Sequence, residues 1–250
     1  MKKEAKKNHG HVIDIKGLNK SFGENHVLKD INLQLSPDEN LVILGRSGMG
    51  KSVLIKCIVG LEDFDSGTIY VLGNNIGDMD EFELNDLRQN IGFLFQGGAL
   101  YDSMTVEENL LFSLQRNARH LSMSEMQDII DEVLESVGLL DAKKKMPVEL
   151  SGGMKKRAGL ARTLVLKPKV ILYDEPTTGL DPFTSLGISE LIVKVKKRYN
   201  TAAIIVTHDM KSARITADRM IIMENGEILT RGTYNEVKQV DNEVVQGFFN

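Results

Sequence analysis

Four short apolar runs recur along this chain: Leu41–Leu44, Ile91–Phe95, Val170–Tyr173 and Ala203–Val206. Each is nearly continuous and bounded by polar or turn residues, the pattern of parallel strands buried on both faces. Helical segments lie between them, so the class is α/β. The N-terminal stretches VIDIKGLNKSF and HVLKDINLQLS alternate instead, predicting antiparallel strands with one wet face. Near the other end, RMIIMENGEILTRG sets Asn225 and Gly226 between two apolar runs, a hairpin signal. The middle is different. From about residue 104 to 166 the pattern predicts helices and no strand. Met126, Ile129, Ile130, Val133, Leu134 and Val137 fall at helical spacing. Ser122 and Glu125 can form a capping box before them, and Gly138 can end the helix. A helical lobe, about residues 97–166, is therefore expected between two strands of the sheet.

Composition narrows the picture in a few places. A chain of 250 residues is ample for one large domain carrying an inserted lobe. A net charge of −4 gives no overall pull towards nucleic acid or anionic lipid, and no nucleic-acid partner is expected. The single cysteine, Cys57, excludes an internal disulfide; it lies in an apolar helical stretch, where a buried core residue is expected. No apolar run approaches the roughly 18 residues of a spanning helix. The basic run at residues 1–7 has no apolar stretch after it, unlike a secretory signal, so residues 1–11 read as a flexible basic tail. A cytosolic chain is expected.

The most informative segment is LVILGRSGMGKSVLIKCIVG, a strand, a glycine-rich turn and a helix. Gly45, Arg46, Ser47, Gly48, Met49, Gly50, Lys51 and Ser52 match the phosphate-binding loop pattern in full. Gly48 and Gly50 let backbone N–H groups curl around phosphate oxygens, and the helix N-terminus adds partial positive charge. Lys51 can reach the β- and γ-phosphates, and the Ser52 hydroxyl can ligate Mg²⁺. A plain glycine turn is the competing reading; the strand and helix on either side weigh against it. The dinucleotide fingerprint fails, because Val53 stands where its third glycine belongs.

VILYDEPTTGLDP is an apolar strand ending in two carboxylates. Asp174 is placed to hold Mg²⁺, directly or through water, and Glu175 to polarise an attacking water. Alone, the two could be a capping pair before Pro176. AIIVTHDM is another buried strand, and of the five histidines only His208 stands at such an end. It can contact a γ-phosphate and hold water in line, although a lone histidine is more often structural.

A second anion-shaped feature is ELSGGMKKRAGLART, in which Ser151, Gly152 and Gly153 open a helix followed by Lys155, Lys156 and Arg157. GRSGMGKS, FQGGALYDSMTVEEN, LSGGM, LYDEPTTGLD and VTHD occur in that order. Together, over roughly residues 12–240, they resemble the nucleotide-binding subunit of an ATP-binding cassette (ABC) transporter. The resemblance implies a P-loop NTPase (RecA-like) core, an N-terminal antiparallel β subdomain and an inserted α-helical subdomain, with residues 241–250 as a C-terminal extension. It implies a head-to-tail dimer of two copies, with ATP between the phosphate loop of one and the LSGG helix of the other. Ser151, Gly152 and Gly153 would then bind the γ-phosphate held by the partner's Lys51. A capped helix with Lys155 and Lys156 on a basic solvent face is expected as well.

Other roles follow from the same resemblance. Phe22 occupies the place of an aromatic that stacks on adenine, where a core phenylalanine is the alternative. Gln96 would contact Mg²⁺ and the attacking water and report γ-phosphate loss to the helical lobe. Asp181 would lie across the dimer interface. Two departures stand out: Val53 where threonine is usual, losing a hydroxyl near the α-phosphate, and Met154 where glutamine is commoner. With FQGGALYDSMTV and LSGGMKKR they resemble the ATPases of bacterial phospholipid-trafficking systems paired with MCE-domain proteins. That branch implies an integral-membrane permease, received near residues 96–104, and a place on the cytoplasmic face of the inner membrane. Leu100, Tyr101 and Met104 are candidate interface residues, or packing beneath their loop. An ABC ATPase for another substrate is the alternative, and a non-transport ABC protein the next.

Overall fold

The computed structural model describes residues 10–249; most of the basic tail read at residues 1–11, including the run at 1–7, lies outside them. The chain begins with β1 (Ile13–Phe22) and β2 (Asn25–Leu35), an antiparallel pair. After β3 (Asn40–Leu44) and α1 (Lys51–Ile58), β4 (Ser66–Val71) and the short β5 (Asn74–Asn75) complete an antiparallel sheet in the order β2-β1-β4-β5. The alternating N-terminal pattern thus marks a larger subdomain than its two strands.

Next come α2 (Glu81–Arg88) and β6 (Ile91–Leu94). The helical lobe follows as α3 (Val106–Asn117), α4 (Met123–Ser136) and α5 (Gly152–Leu164). The expected capping box is present: Ser122 accepts from the Glu125 N–H, and the Glu125 side chain accepts from the Ser122 N–H. Thr105 and Glu108 make another at the start of α3. Both boxes satisfy N–H groups that a helix start otherwise leaves bare.

The chain returns through β7 (Val170–Asp174), α6 (Pro182–Tyr199), β8 (Ala202–Thr207), α7 (Met210–Thr216), β9 (Arg219–Glu224) and β10 (Glu227–Gly232). The second sheet has the order β10-β9-β3-β8-β7-β6, parallel except for β10. All four apolar runs of the sequence are strands of it. β9 and β10 form the expected hairpin, with Asn225 and Gly226 both at positive φ (49° and 81°), as a turn matching strand twist requires.

One apolar core lies between the antiparallel sheet, α1 and one face of the parallel sheet, with Leu41, Ile43, Leu54 and Leu172 in it. A second joins the other face to the helical lobe, α6 and α7, through Val42, Leu110, Ile130, Leu160 and Ile205. Alternate residues of β3 therefore serve different cores, which is why the run reads as continuously apolar. Cys57 is fully buried in the first. The chain ends in α8 (Tyr234–Lys238) and α9 (Glu243–Gln246). Val245 is buried, and Phe248 and Phe249 pack on the second core.

Candidate active site

The phosphate loop links the end of β3 to the start of α1, and its shape depends on glycine. Gly50 has φ 88°, and a Cβ there would stand 2.7 Å from the Val27 carbonyl oxygen. Space and conformation both exclude a side chain. Lys51 is buried, and its Nζ donates to the Gly45 and Arg46 carbonyls at 2.7 and 2.8 Å. The loop thereby encircles its own ammonium. Burial pulls that ammonium below the usual lysine range, against the opposite pull of Glu175 and Asp174.

One cleft of about 860 Å³ gathers most of the expected residues. Phe22, Arg46, Ser47, Gly48, Gly50, Lys51, Ser52, Val53, Gln96, Glu175 and His208 all line it. Phe22 is 46% exposed, with Lys20 Nζ 4.6 Å from its ring centroid; it is not a core phenylalanine. Gly45 and Met49 are not among the lining residues. Gly45 turns its carbonyl to Lys51, and the Met49 sulfur accepts from the Asn225 N–H at 3.2 Å. Met49 thus braces the loop against the β9–β10 hairpin.

Asp174 ends β7 behind the loop, and the Ser52 hydroxyl donates to its Oδ1 at 2.9 Å. Burial pushes the Asp174 carboxyl above the usual range, opposed by the Ser52 hydrogen bond, while the Glu175 charge adds to the rise. A divalent cation would offset that cost. The donors here are hydroxyl and carboxylate oxygens, as Mg²⁺ prefers. Among the described residues there is no group of three or more His, Cys, Asp and Glu able to hold a metal. That fits an ion bound through a single carboxylate and neutral side-chain oxygens, with substrate phosphates and water completing its shell.

Glu175 follows with φ 49°, a left-handed conformation that costs a non-glycine residue on the order of 1–3 kcal/mol. Its N–H donates to the Val206 carbonyl at 2.9 Å, which ties it to β8. Oε2 accepts from Thr178 Oγ1 at 2.9 Å and meets His208 Nδ1 at 2.9 Å. Oε1 lies 3.9 Å from Lys51 Nζ. One carboxylate oxygen is thus anchored by two side chains, and the other faces the lysine.

Ser151, Gly152, Gly153 and Asp181 are not among the residues lining this cleft. Ser151 is exposed and caps α5, accepting from the Met154 N–H at 3.3 Å. Asp181 caps α6, accepting from the Phe183 and Thr184 N–H groups at 3.0 Å each. These bonds, Thr184's foremost, hold the Asp181 carboxyl below the usual range. The two helix starts adjoin: a Cβ on Gly153 would stand 2.4 Å from Thr184 Cγ2.

The basic solvent face expected of Lys155 and Lys156 is not found. Lys155 is half-buried and Lys156 is 6% exposed. The inward residues of α5 include Gly153, Lys156, Leu160 and Leu164. That three-four spacing puts Lys156 on the buried stripe and was readable in the sequence. The cleft also includes Val27, Thr178 and Phe248, which sequence reasoning did not assign to it. Thr178 lies three residues after Glu175, within reach through the tight turn. Phe248 comes from the C-terminal NEVVQGFFN stretch, whose apolar end was its one signal.

The expected interface residues divide. Leu100 packs on the core, whereas Tyr101 is 42% exposed. Its ring meets Phe112 edge-on at 5.2 Å and Arg162 at 5.0 Å. Fully buried Asn109 pins this loop, its amide nitrogen donating to the carbonyls of Tyr101, Met104 and Thr105. Beside it, a cavity of about 220 Å³ is lined by Phe93, Phe95, Ala99 and Arg162 among others.

A family model described as ABC transporter matches residues 28–178. The probable ribonucleotide transport ATP-binding protein Mkl of Mycobacterium leprae is 40% identical over 241 residues, covering 96% of this chain and 69% of that protein. The methionine import ATP-binding protein MetN of Clostridioides difficile is 38% identical over 226 residues, covering 90% and 70%. The chloroplastic protein TRIGALACTOSYLDIACYLGLYCEROL 3 of Arabidopsis thaliana is 35% identical over 254 residues, covering 95% and 73%. Among solved structures, CbiO1 of Clostridium perfringens, part of the ABC transporter complex CbiONQ, superposes with a TM-score of 0.85 at 31% identity, covering 92% of this chain and 91% of that one. The ATP-binding cassette MJ0796, in a dimeric post-hydrolysis state bound to ADP and Pi, superposes at 0.81 with 32% identity, covering 88% and 98%.

Proposed function

This chain belongs to the ABC transporter family, as an ATP-hydrolysing subunit, and on that premise we propose that it drives phospholipid transport between bacterial membranes. The reading of the motor rests on one observation: the glycine cradle with Ser52 and the Glu175–His208 pair line a single cleft, and Asp174, which is not among the lining residues, is bonded to Ser52.

The chemistry follows from that arrangement. Phe22 stacks on adenine at the mouth of the cleft. Backbone N–H groups of the loop and Lys51 hold the phosphates and take up charge that spreads onto the γ-phosphoryl oxygens. Ser52, Asp174 and Gln96 are the residues that would hold Mg²⁺, which when bound neutralises phosphate charge. Thr178 and His208 fix Oε2 of Glu175, leaving Oε1 to accept a hydrogen bond from water. The water oxygen forms a bond to the γ-phosphorus as the bond to the bridging oxygen breaks. Its proton passes to Glu175, and ADP and phosphate leave. With Glu175 Oε2 accepting from Nδ1–H, a neutral His208 ring offers Nε2 as an acceptor; donation from Nε2 to phosphate needs the protonated ring.

Two copies complete each other's sites, with Ser151, Gly152 and Gly153 of one facing the γ-phosphate in the other. The capped start of α5 suits an anion. The cavity beside Phe93 and Phe95, with the exposed Tyr101 ring nearby, is the proposed seat for a cytoplasmic helix of the permease. No helix among the described residues is long and apolar enough to cross a membrane, so the permease supplies the attachment to the inner membrane.

The cargo is argued from Val53, Met154 and the GGALYDSMTV and LSGGMKKR stretches, which resemble the lipid-trafficking branch. The relatives named for ribonucleotide and methionine transport favour a second reading, the same motor working for another solute. Isolation of the tagged full chain in mild detergent, with mass spectrometry of proteins and lipids, separates them. A multi-pass permease, an MCE-domain protein and bound phospholipid are expected. A permease with a different solute-binding protein would replace the cargo and keep the motor.

A further inference from the structure

Lys156 has no part in the chemistry above, yet it is a buried cation beside both carboxylates of the site. Its Nζ donates to the main-chain carbonyl of Gln96, and to that of Glu175 at 3.3 Å. Burial pulls the ammonium below the usual lysine range, while Asp174 and Glu175 pull it back. Placing a charge there is costly unless its hydrogen bonds are needed. A long apolar side chain would fill the same space without that cost.

The two carbonyls belong to the segments that most need fixing. Glu175 sits at φ 49°, and its N–H is already tied to Val206. Lys156 holds the carbonyl on the other side of the same residue. Gln96 begins the loop between β6 and the helical lobe, which α5 grips along its length. Gly159 lies so close that a Cβ would stand 2.6 Å from the Gly98 carbonyl oxygen. One turn further on, Arg162 donates to the Ala99 carbonyl. Lys156 alone on this face reaches past the loop to the hydrolytic carboxylate's own backbone.

We propose that Lys156 is a positioning residue for ATP hydrolysis: from the helix that begins at Ser151, it clamps the carbonyls of Gln96 and Glu175 and so sets the placing of both side chains. This rests on the reading of Glu175 as the carboxylate that orients water. The clamp also joins the two anion-binding features of the chain, since Ser151 and Lys156 share the first turns of α5. A shift of Gln96 or Glu175 is carried directly to the helix start that faces the partner's nucleotide.

The test compares Lys156→Met with Lys156→Arg in the full-length chain, reading steady-state ATP hydrolysis, equilibrium ATP binding and the thermal midpoint. Misplacing a catalytic group costs about tenfold to a hundredfold. Lys156→Met is therefore expected to lower kcat by about that factor, with ATP affinity changed less than about twofold. Lys156→Arg keeps donors for the carbonyls and is expected to recover kcat to within about threefold of the parent. If Lys156→Met does not fold, Lys156→Gln is read instead: its shorter neutral amide should lower kcat at unchanged affinity. A kcat for Met, or for Gln in its place, within about twofold of the parent overturns the proposal. Equal losses in Met and Arg, tracking the thermal midpoint, overturn it too. Glu175→Gln is run alongside. Parental turnover in that variant removes the reading of the site itself; an inactive Glu175→Gln beside a normal Lys156→Met removes only the clamp.

Discussion

At the scale of single residues, Glu175 unites an unfavourable backbone with a fixed side chain. Its φ of 49° would be relieved by glycine, but glycine would bring no carboxylate. Thr178 and His208 hold one oxygen and leave the other turned towards Lys51. Replacing the carboxylate by an amide keeps the shape and removes the proton acceptor. Glu175→Gln is therefore expected to bind ATP near parental affinity and to release phosphate about 10²–10⁴-fold more slowly, with ATP-bound dimers accumulating. Phosphate release and sedimentation check both halves; turnover near the parental rate would remove Glu175 as the hydrolytic carboxylate. Glu175 was legible because an apolar strand ending in two acids has few structural uses beside a phosphate loop. Lys156 was misread because a lysine next to lysines suggests a solvent face, and only its register on α5 argues otherwise. Phe248 stands some forty residues beyond the last motif and lines the cleft only through tertiary packing.

At the scale of elements, the parallel sheet was open to reading because strands covered on both faces are apolar throughout. The helical lobe declared itself through its capping box and three-four periodicity. β4 did not: Ser66–Val71 reads SGTIYV, a run of only four β-formers after a Ser-Gly start. Its strand character comes from pairing with β1, a contact far along the chain. α2 escaped for the opposite reason, since only Leu87 of its eight residues is buried. The contact between α5 and the loop carrying Gln96 is another matter of elements. Their backbones approach so closely at Gly159 that a Cβ would stand 2.6 Å from the Gly98 oxygen and 3.0 Å from Leu94 Cδ1. A backbone oxygen cannot swing aside as a side chain can. Gly159→Ala is expected to destabilise the fold by about 1–3 kcal/mol, the range for overpacking. A denaturation curve at parental stability would mean that loop and helix separate more readily than this packing allows.

At the scale of the whole molecule, the chain carries two places shaped for phosphate, and only one lines its cleft. Ser151 stands exposed at the start of α5, its hydroxyl occupied only with capping its own helix. No periodicity or local spacing says what such a helix start faces; the family resemblance alone supplied a partner copy. If Ser151 serves the partner's nucleotide, a bulky cation there should leave each chain's own cleft intact and spoil the shared site. Ser151→Arg is expected to bind ATP as an isolated chain within about twofold of the parent. Hydrolysis should fall by at least about tenfold, because the partner's contribution to transition-state charge is displaced. Cap loss at α5 adds only about 1 kcal/mol of destabilisation, too little to unfold a core of this size, so lost hydrolysis cannot be laid to unfolding. Binding and turnover measured on the same preparation decide the point: if both fall together, Ser151 acts within its own chain, and the second cradle is no cradle for the partner.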